Sequence, residues 1–504
     1  MKKIPWLLVL IFIIALAIRF FAVWPANTII GFDQARDLFD SLKILRGDLR
    51  IIGPTAGNNP SLHHGVAWLY FMAIPLLFSL NPIFVVLWNC LFNALASIVV
   101  FLLTRVMFNK KVGYLAAIIT AVSYYYVSFS GWLSNPTPAL LTVPLFFLGI
   151  WQYYKKRPWG LPLSMLALGL SIQFELFFIY LIPVFILSWL ILRPKLPGLK
   201  IFIYSLSAIT FSLSSMIATE IKFHFAGIKS LLSAGSLVGG DQTFNYNKFF
   251  ALDLIPKNKT VDIALGVLVI GFFIFEMIKN KKSAGRRRKR NLFLLLWLFS
   301  PAIMLVLGSH NAPWFMIGRP AAAIIMGAYL ISKLKSRLLI GVVVGLIVYF
   351  NCLAIRSDYN KGQSLLEPDR SSVLSRQIAA MDYTYQFSKG EPFAIDTVTN
   401  PLYINAVWAW NFDWYYPKYG YKPNWLGGDQ LTPYDTLPKS TQDEMYFFLI
   451  IDQTSRIPSV YTQNAIESLQ KKAKYLEEAE FDGIKVIMWK NDSYKTNSSN
   501  TKSR

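Results

Sequence analysis

Four carboxylates, Asp33, Asp37, Asp40 and Asp48, fall within sixteen positions directly after the first apolar stretch, although residues 1–354 hold only 10 of the 28 acidic residues. The run Gly31-Phe-Asp-Gln-Ala-Arg-Asp-Leu-Phe-Asp40 continues to Leu45 with apolar residues at 32, 35, 39, 42 and 45. That spacing predicts a helix lying on a membrane surface, with Asp33, Asp37 and Asp40 along its polar face. For Asp40 and Asp48 the expected role is a solvated face, and Asp37 is expected to contact substrate. Asp33 follows the apolar stretch by a few residues, which puts it at the lip of any cavity between helices, where a carboxylate can serve as general base. Glu220 and His224 are one helical turn apart and could bind an acceptor or a divalent ion; a plain polar boundary is an equal alternative. Of the adjacent His63 and His64, whose side chains diverge, one is expected in a turn and one as a functional imidazole. Asn135 before Pro136 reads as a helix N-cap or a substrate ligand. Glu175, after Gln173 in an apolar run, is a functional candidate unless the outer end of a bent hairpin solvates it.

These residues need a membrane scaffold to position them. The 504-residue chain is 54% hydrophobic and 15% charged, with mean hydropathy +0.41. A soluble domain carries about 25% charged residues, so the composition is that of a polytopic membrane protein. The formal charge of +22 does not describe a nucleic-acid groove, because residues 1–354 hold 33 of the 50 Lys and Arg while the remainder is nearly neutral. Cys90 and Cys352 lie in apolar runs and supply neither a disulfide framework nor a zinc site. Apolar stretches long enough to span occur at 4–24, 83–105, 112–130, 136–154, 158–174, 175–192, 200–219, 262–278, 291–308, 315–332 and 338–355. The first has the basic and apolar parts of a signal peptide but no small-x-small cleavage site, and is read as a membrane helix.

The segment Trp68–Leu80 is too short to cross and is read as an interfacial helix. Six loops, including Lys155–Arg157 and Lys279–Arg290, then fall on one side with 22 basic and no acidic residues; the opposite loops, 25–82 and 220–262, hold 9 basic and 8 acidic. The positive-inside rule puts the amino terminus in the cytoplasm, and eleven spans put the carboxyl-terminal part outside. Asn59 and Thr399 then share the outer side while Arg287 lies inside. The expected organisation is a mostly α membrane domain over 1–355, a small extracytoplasmic α/β domain over 356–490, and a polar tail, 491–504, that cannot bury enough surface to fold. In the outer domain, Asp369 or Ser371 is the expected N-cap of a helix ending near Lys389. Strands are expected at 392–399, 446–452 and 483–490, and a helix at 460–480. Eight Trp and Tyr residues from Trp408 to Trp425 are expected to fill core and turns, with sugar stacking as the alternative. Asn258, Asn491 and Asn497 open N-x-[ST] matches, which matter only in a glycosylating host.

The order of these features resembles the polyprenyl-phosphate-sugar-dependent glycosyltransferases of the GT-C fold, among them the protein O-mannosyltransferases and the lipid A aminoarabinose transferase. The residues that carry the resemblance are Asp33, Gln34, Ala35, Arg36, Gly47, Asp48, Pro54, His63, His64, Trp68 and Tyr70. Gly131–Pro136, Glu220–Phe225 and His310–Pro320 extend it, so that it covers roughly 1–355. It implies transfer of a sugar, with inversion, from a polyprenyl-phosphate donor to a protein, lipid or glycan on the extracytoplasmic face, and Asp33 as the base that activates the acceptor hydroxyl. The phosphate leaves as an anion, for which Arg36, Lys222 and Arg319 are candidate cations and His224 or His310 candidate hydrogen-bond donors. Arg319 near a helix start is either a phosphate ligand or a snorkelling residue. The family pattern has a second acid where this chain has Gln34. The expectation is therefore that no metal is required and that Arg319, helped by His310, holds the phosphate; Glu220 and His224 are the ligands if Mg²⁺ or Mn²⁺ is used. A lipid or polysaccharide flippase, opposed by the absence of evident inverted repeats, and a non-catalytic membrane scaffold are the rival readings.

Overall fold

The computed structural model describes residues 5–56, 61–233, 247–279, 285–306, 313–362 and 369–494. Helix α1 (Trp6–Val23) is followed by the amphipathic α2 (Phe32–Leu45) and by α3 (Ala67–Leu76), which at 10 residues is no span. The chain continues through α4 (Pro82–Met107), α5 (Lys110–Val122), α6 (Tyr124–Ser130), α7 (Ala139–Tyr154) and α8 (Gly160–Phe174). A 3-10 turn, Leu176–Tyr180, leads into α9 (Leu181–Leu192), α10 (Leu199–Ser212), α11 (Ser214–Lys222) and α12 (Ala226–Ser233). The membrane domain is completed by α13 (Asn247–Phe250), α14 (Lys259–Lys279), α15 (Arg286–Phe299), α16 (Ile303–Val306), α17 (Arg319–Ser332) and α18 (Arg337–Ser357). Among the described residues α1, α4, α14 and α18 are long and apolar enough to cross a membrane, and the pairs α5–α6, bent by 49°, and α10–α11, bent by 62°, would each add one more.

The bends and the buried polar groups account for one another. The break at Ser123 frees the Tyr124 N–H, which donates to Asn351 Oδ1 on α18 at 2.7 Å. Arg19 is buried in α1 and donates to Asn93 Oδ1 at 2.8 Å and to the Ala121 carbonyl at 2.9 Å, fastening α1 to α4 and α5. The basic segments converge at one end of the bundle: Lys289 donates to the Leu192 carbonyl at 2.7 Å, and Arg290 lies 4.0 Å from the Phe108 ring and 4.8 Å from that of Tyr329.

The C-terminal domain closes the opposite end. Residues 26–30 are stitched to it by Ile30 N–H to Ser372 O at 2.8 Å, Leu374 N–H to Thr28 O at 2.9 Å and Ser375 N–H to Ala26 O at 3.2 Å. Phe39 of α2 meets Trp410 edge-on, with centroids 5.0 Å apart. The domain is built from α19 (Leu374–Ser388), β1 (Phe393–Val398), α20 (Ala406–Tyr415), β2 (Asn424–Trp425), β3 (Tyr446–Asp452), α21 (Ser459–Gln470), β4 (Ala473–Glu480) and β5 (Ile484–Asn491). Its sheet has the order β2-β1-β3-β5-β4, with β2, β1 and β3 parallel and β5 antiparallel to both β3 and β4. Alternation puts Phe393, Ile395, Phe448 and Ile450 into one core with Met381 and Trp408, and Ala394, Phe447, Leu449 and Ile451 into another with Leu469.

Four expectations are corrected here. The helix predicted at 460–480 stops at Gln470, and 473–480 is an edge strand. Its exposed Lys and Glu residues carry no apolar alternation, and pairing with β5 overrides their helical preference. Neither Asp369 nor Ser371 caps α19, which begins after a 3-10 turn at Arg370–Ser372. Asn491 is not tail but the buried end of β5, donating to Gln442 O at 2.8 Å and Glu444 O at 3.0 Å, which removes it as a glycosylation acceptor. Thr399 is buried, so the outer side expected for it has to be probed at an exposed position of the same domain, the fourth change being one of probe and not of placement. The aromatic cluster follows the expected course: Trp408, Trp410, Tyr415 and Trp425 are buried, and Tyr385 stacks on Tyr419 at 4.1 Å.

Candidate active site

Asp33 is delivered by the first turn of α2. Gln34 makes that turn: its Oε1 accepts the Gly31 N–H at 3.1 Å and its Nε2 donates to Leu133 O at 2.9 Å. A buried capping amide therefore stands where the family pattern has an acid. Arg36 links two of the three acids of this helix, Asp33 and Asp37. Its Nε and Nη2 reach Asp37 Oδ1 at 2.9 and 2.8 Å, and its Nη1 donates to Asp33 Oδ1 at 2.8 Å. The other oxygen of Asp37 accepts Trp68 Nε1–H at 2.9 Å. Burial pushes the Asp37 carboxyl up to about 6 against the pull of Arg36. Asp37, expected on the polar face and as a substrate ligand, is instead a buried anchor for Arg36. Asp40 pairs with Arg50. The Asp33 side chain is 69% exposed. It stands at the lip of a cavity of about 400 Å³ between α2, Trp132 and the C-terminal-domain residues Asp369, Ser371, Asp452, Thr454 and Arg456.

A second cavity, of about 260 Å³, is lined by Ile51, Ile52, His63, His64, Met216, Thr219, Glu220 and Phe223. Residues 53–56 and 62–65 form its wall by pairing Thr55 with His63, with Ala56 N–H on Leu62 O at 2.7 Å and His64 N–H on Pro54 O at 2.8 Å. Gly53 permits this approach, because a Cβ there would overlap the His64 and Gly65 carbonyls. Thr219 Oγ1 ties α11 to the loop through Ile51 O at 2.9 Å. His63 is half-buried, its Nδ1 3.2 Å from Gly53 O. His64 is buried: its Nδ1 accepts Leu176 N–H at 3.1 Å and lies 3.4 Å from Glu175 Oε1. Asn135 donates to Phe174 O at 2.7 Å and to Glu175 Oε2 at 3.4 Å, so it is neither N-cap nor exposed ligand but part of this cluster. Glu175 is likewise buried in the turn rather than solvated by it. Burial lowers the His64 imidazole to about 3 and raises the Glu175 carboxyl to about 8.

Other candidates are placed elsewhere. Glu220 faces this cavity and accepts Ile228 N–H at 3.1 Å, but α11 ends at Lys222 and His224 has φ 52°. The helical spacing expected to pair Glu220 with His224 is therefore broken, and His224 is exposed. Lys222 is exposed over the Phe223 ring at 5.6 Å. Among the described residues no three of His, Cys, Asp and Glu form a metal-binding group. Arg319 is only 2% exposed; it donates to Phe249 O at 2.7 Å and to Ala251 O, and lies 3.5 Å from Asp253. Its fork clamps the end of α13 and the residues after it and lines neither cavity, which corrects the role expected for it. Arg319→Lys should lower stability by about 1–3 kcal/mol, read by thermal unfolding in nanodiscs, without weakening polyprenyl-phosphate affinity. Weakened affinity with unchanged unfolding would restore the phosphate role. His310 lies outside the described residues. Trp132, Asp452 and Arg456 escaped the sequence reading, since only the docking of a domain more than three hundred residues away brings the last two to Asp33.

Residues 63–218 match the sequence model of the family described as dolichyl-phosphate-mannose-protein mannosyltransferase. No curated protein matches the chain. ArnT from Cupriavidus metallidurans is similar in structure in two states. In the apo state the TM-score is 0.56 at 11% identity, over 95% of this chain and 97% of that one. Bound to undecaprenyl phosphate it is 0.58 at 11% identity, with the same 95% and 97% coverage. The oligosaccharyltransferase AglB from Archaeoglobus fulgidus aligns over 97% of this chain and 74% of its own, at 12% identity and TM-score 0.46. The end-to-end match to ArnT, together with the bundle and its appended sheet, makes this chain a polytopic membrane protein of the GT-C glycosyltransferase fold.

Proposed function

We propose that the chain is an inverting glycosyltransferase that moves a sugar from a polyprenyl-phosphate donor to a hydroxyl-bearing protein, lipid or glycan on the extracytoplasmic face of the membrane. The observation that carries the reading is the position of Asp33 at the lip of the cavity under the C-terminal domain, on a fold shared with a structure that binds undecaprenyl phosphate. The cavity of His63, His64 and Glu220 takes the donor phosphate, with the lipid tail leaving among the helices. The cavity under the C-terminal domain takes the acceptor. Asp33 accepts the hydroxyl proton as the oxygen attacks the anomeric carbon, and the phosphate departs on the opposite side toward Arg36 and the histidines. Incubation of the purified protein with radiolabelled polyprenyl-phosphate sugars tests this directly. Neither transfer nor slow hydrolysis, across donors, would sink it.

Two further outcomes are expected. On a background lacking Cys90 and Cys352, cysteines at the exposed Asp48 and Lys439 should react with impermeant reagent from outside, and one at Arg287 from the cytoplasm; Asn59, the other natural probe, lies outside the described residues. Labelling of position 48 only from the cytoplasm would invert the topology. The reading uses no tightly bound metal, so chelator should leave transfer largely intact. Abolition by EDTA, with recovery in Mn²⁺ or Mg²⁺ that is lost in Glu220→Gln, would assign a metal to the donor cavity.

A further inference from the structure

We propose that Glu175 is an uncharged positioning acid that fixes His64 as the Nε2–H tautomer, so that a neutral imidazole donates a hydrogen bond to the phosphate of the lipid donor. The inference rests on the reading that the His63–Glu220 cavity takes that phosphate. Its basis is the geometry around Nδ1. The Leu176 N–H already donates to this nitrogen at 3.1 Å, so Nδ1 is an acceptor and the ring proton is on Nε2. Glu175 Oε1 lies 3.4 Å from the same Nδ1. An ionised carboxylate there would set its lone pairs against that of Nδ1, and the conflict could be relieved only by protonating Nδ1 against the Leu176 N–H. A protonated Glu175 removes the conflict, its hydroxyl sharing the Nδ1 lone pair with the Leu176 N–H in a three-centre bond, while Asn135 Nδ2 holds its other oxygen at 3.4 Å and Phe177 N–H bonds Oε1 at 3.4 Å.

The charged surroundings favour the same state. Burial and, after it, Arg36 on α2 and the neighbouring His63 disfavour protonation of the His64 ring; Glu220 of α11 lines the same cavity. Among the described residues no cation faces Glu175; its polar partners there besides His64 are Asn135 and the Phe177 amide, and burial keeps its carboxyl protonated to about pH 8. The consequence is a division of labour in which Arg36 supplies charge and His64 supplies a directed neutral donor.

The test reads the tautomer and the reaction separately. The chain has 4 histidines, so ¹⁵N-histidine spectra in nanodiscs, with His64→Gln to assign the signal, can report both ring nitrogens. At pH 7 the His64 Nδ1 should be bare and Nε2 protonated, and adding a polyprenyl phosphate without sugar should move the Nε2 signal. Transfer should be about tenfold lower at pH 9 than at pH 7, the fraction expected for a required acid that ionises near 8. In Glu175→Gln, whose amide still donates to Nδ1 and cannot ionise, that fall should vanish and the tautomer should persist at pH 9. His64→Ala should raise the donor KM about 10- to 100-fold, the range for a lost hydrogen bond to a charged group. An Nδ1–H tautomer at pH 7, an Nε2 signal unmoved by polyprenyl phosphate, or the same alkaline fall in both proteins would overturn the inference. Failure of the glycosyltransferase reading appears differently, as a protein with the expected tautomer that transfers no sugar from any donor.

Discussion

Asp33→Asn lowers the rate of sugar transfer by about 10²–10⁴-fold and leaves polyprenyl-phosphate affinity within a few-fold of the original, if the carboxylate is the base. The structure makes this a clean substitution. Asp33 is 69% exposed, and its bond to Arg36 is one of three that the guanidinium makes, the others going to Asp37. An exposed ion pair contributes about 0–1 kcal/mol, so the fold should survive its loss and a fall in rate can be read as chemistry. Donor binding should persist because the donor cavity is lined by His63, His64 and Glu220 and not by Asp33. Asp40→Asn is the matched control. Asp40 lies on the same helix, two turns on, but pairs with Arg50 and should change transfer little. Near-normal transfer in Asp33→Asn would remove Asp33 as base and move attention to the other acids of its cavity, Asp369 and Asp452. Burial pushes Asp452 up to about 7, which gives it too a proton affinity suited to the task.

What could be read in the sequence was what local spacing and apolar length determine. The helix carrying Asp33 announces itself by residues 32, 35, 39, 42 and 45, and the short interfacial segment by having too few residues to cross. Tertiary partnership was not legible. Asp37 and Asp33 stand on the same helix four residues apart, yet one is buried under Trp68 and the other open, because α3 covers only one side of α2. Gln34 looked like a missing metal ligand and is a helix cap, a role set by the Leu133 carbonyl from a distant turn. Glu220 and His224 illustrate the reverse error: the periodicity is sound, but the helix ends between them at Lys222 and His224 itself is left-handed, which no residue type signals. Arg319, expected as a phosphate ligand or a snorkelling residue, is held instead by the carbonyls of Phe249 and Ala251 and by Asp253, partners that no local spacing announces. The joining of Glu175, His64 and Asn135 crosses three separate segments and has no trace in any one of them.

Arg36→Lys lowers transfer about 10- to 100-fold although it keeps the charge. The guanidinium reaches Asp33 with Nη1 while Nε and Nη2 hold Asp37, so that one planar group sets the distance between the exposed acid and the buried one. An ammonium is a point charge without that fork, and it cannot span both carboxylates in the same geometry. Since Asp37 is buried, a lysine should remain with it, leaving Asp33 without the contact that orients it; removal of the cation altogether, as in Arg36→Ala, would strand a buried carboxylate and should cost about 3–5 kcal/mol of stability. The lysine variant is therefore the informative one, and a double-mutant cycle separates its two possible effects. If Arg36 acts through Asp33, then adding Arg36→Lys to Asp33→Asn costs little more, because the oriented group is already gone. If Arg36 also binds the departing phosphate, the double variant loses a further factor, which appears as a raised donor KM. Full activity in Arg36→Lys would show that the Asp33–Arg36–Asp37 link is scaffolding, and that Asp33, if it is the base, needs no help in pointing at the acceptor.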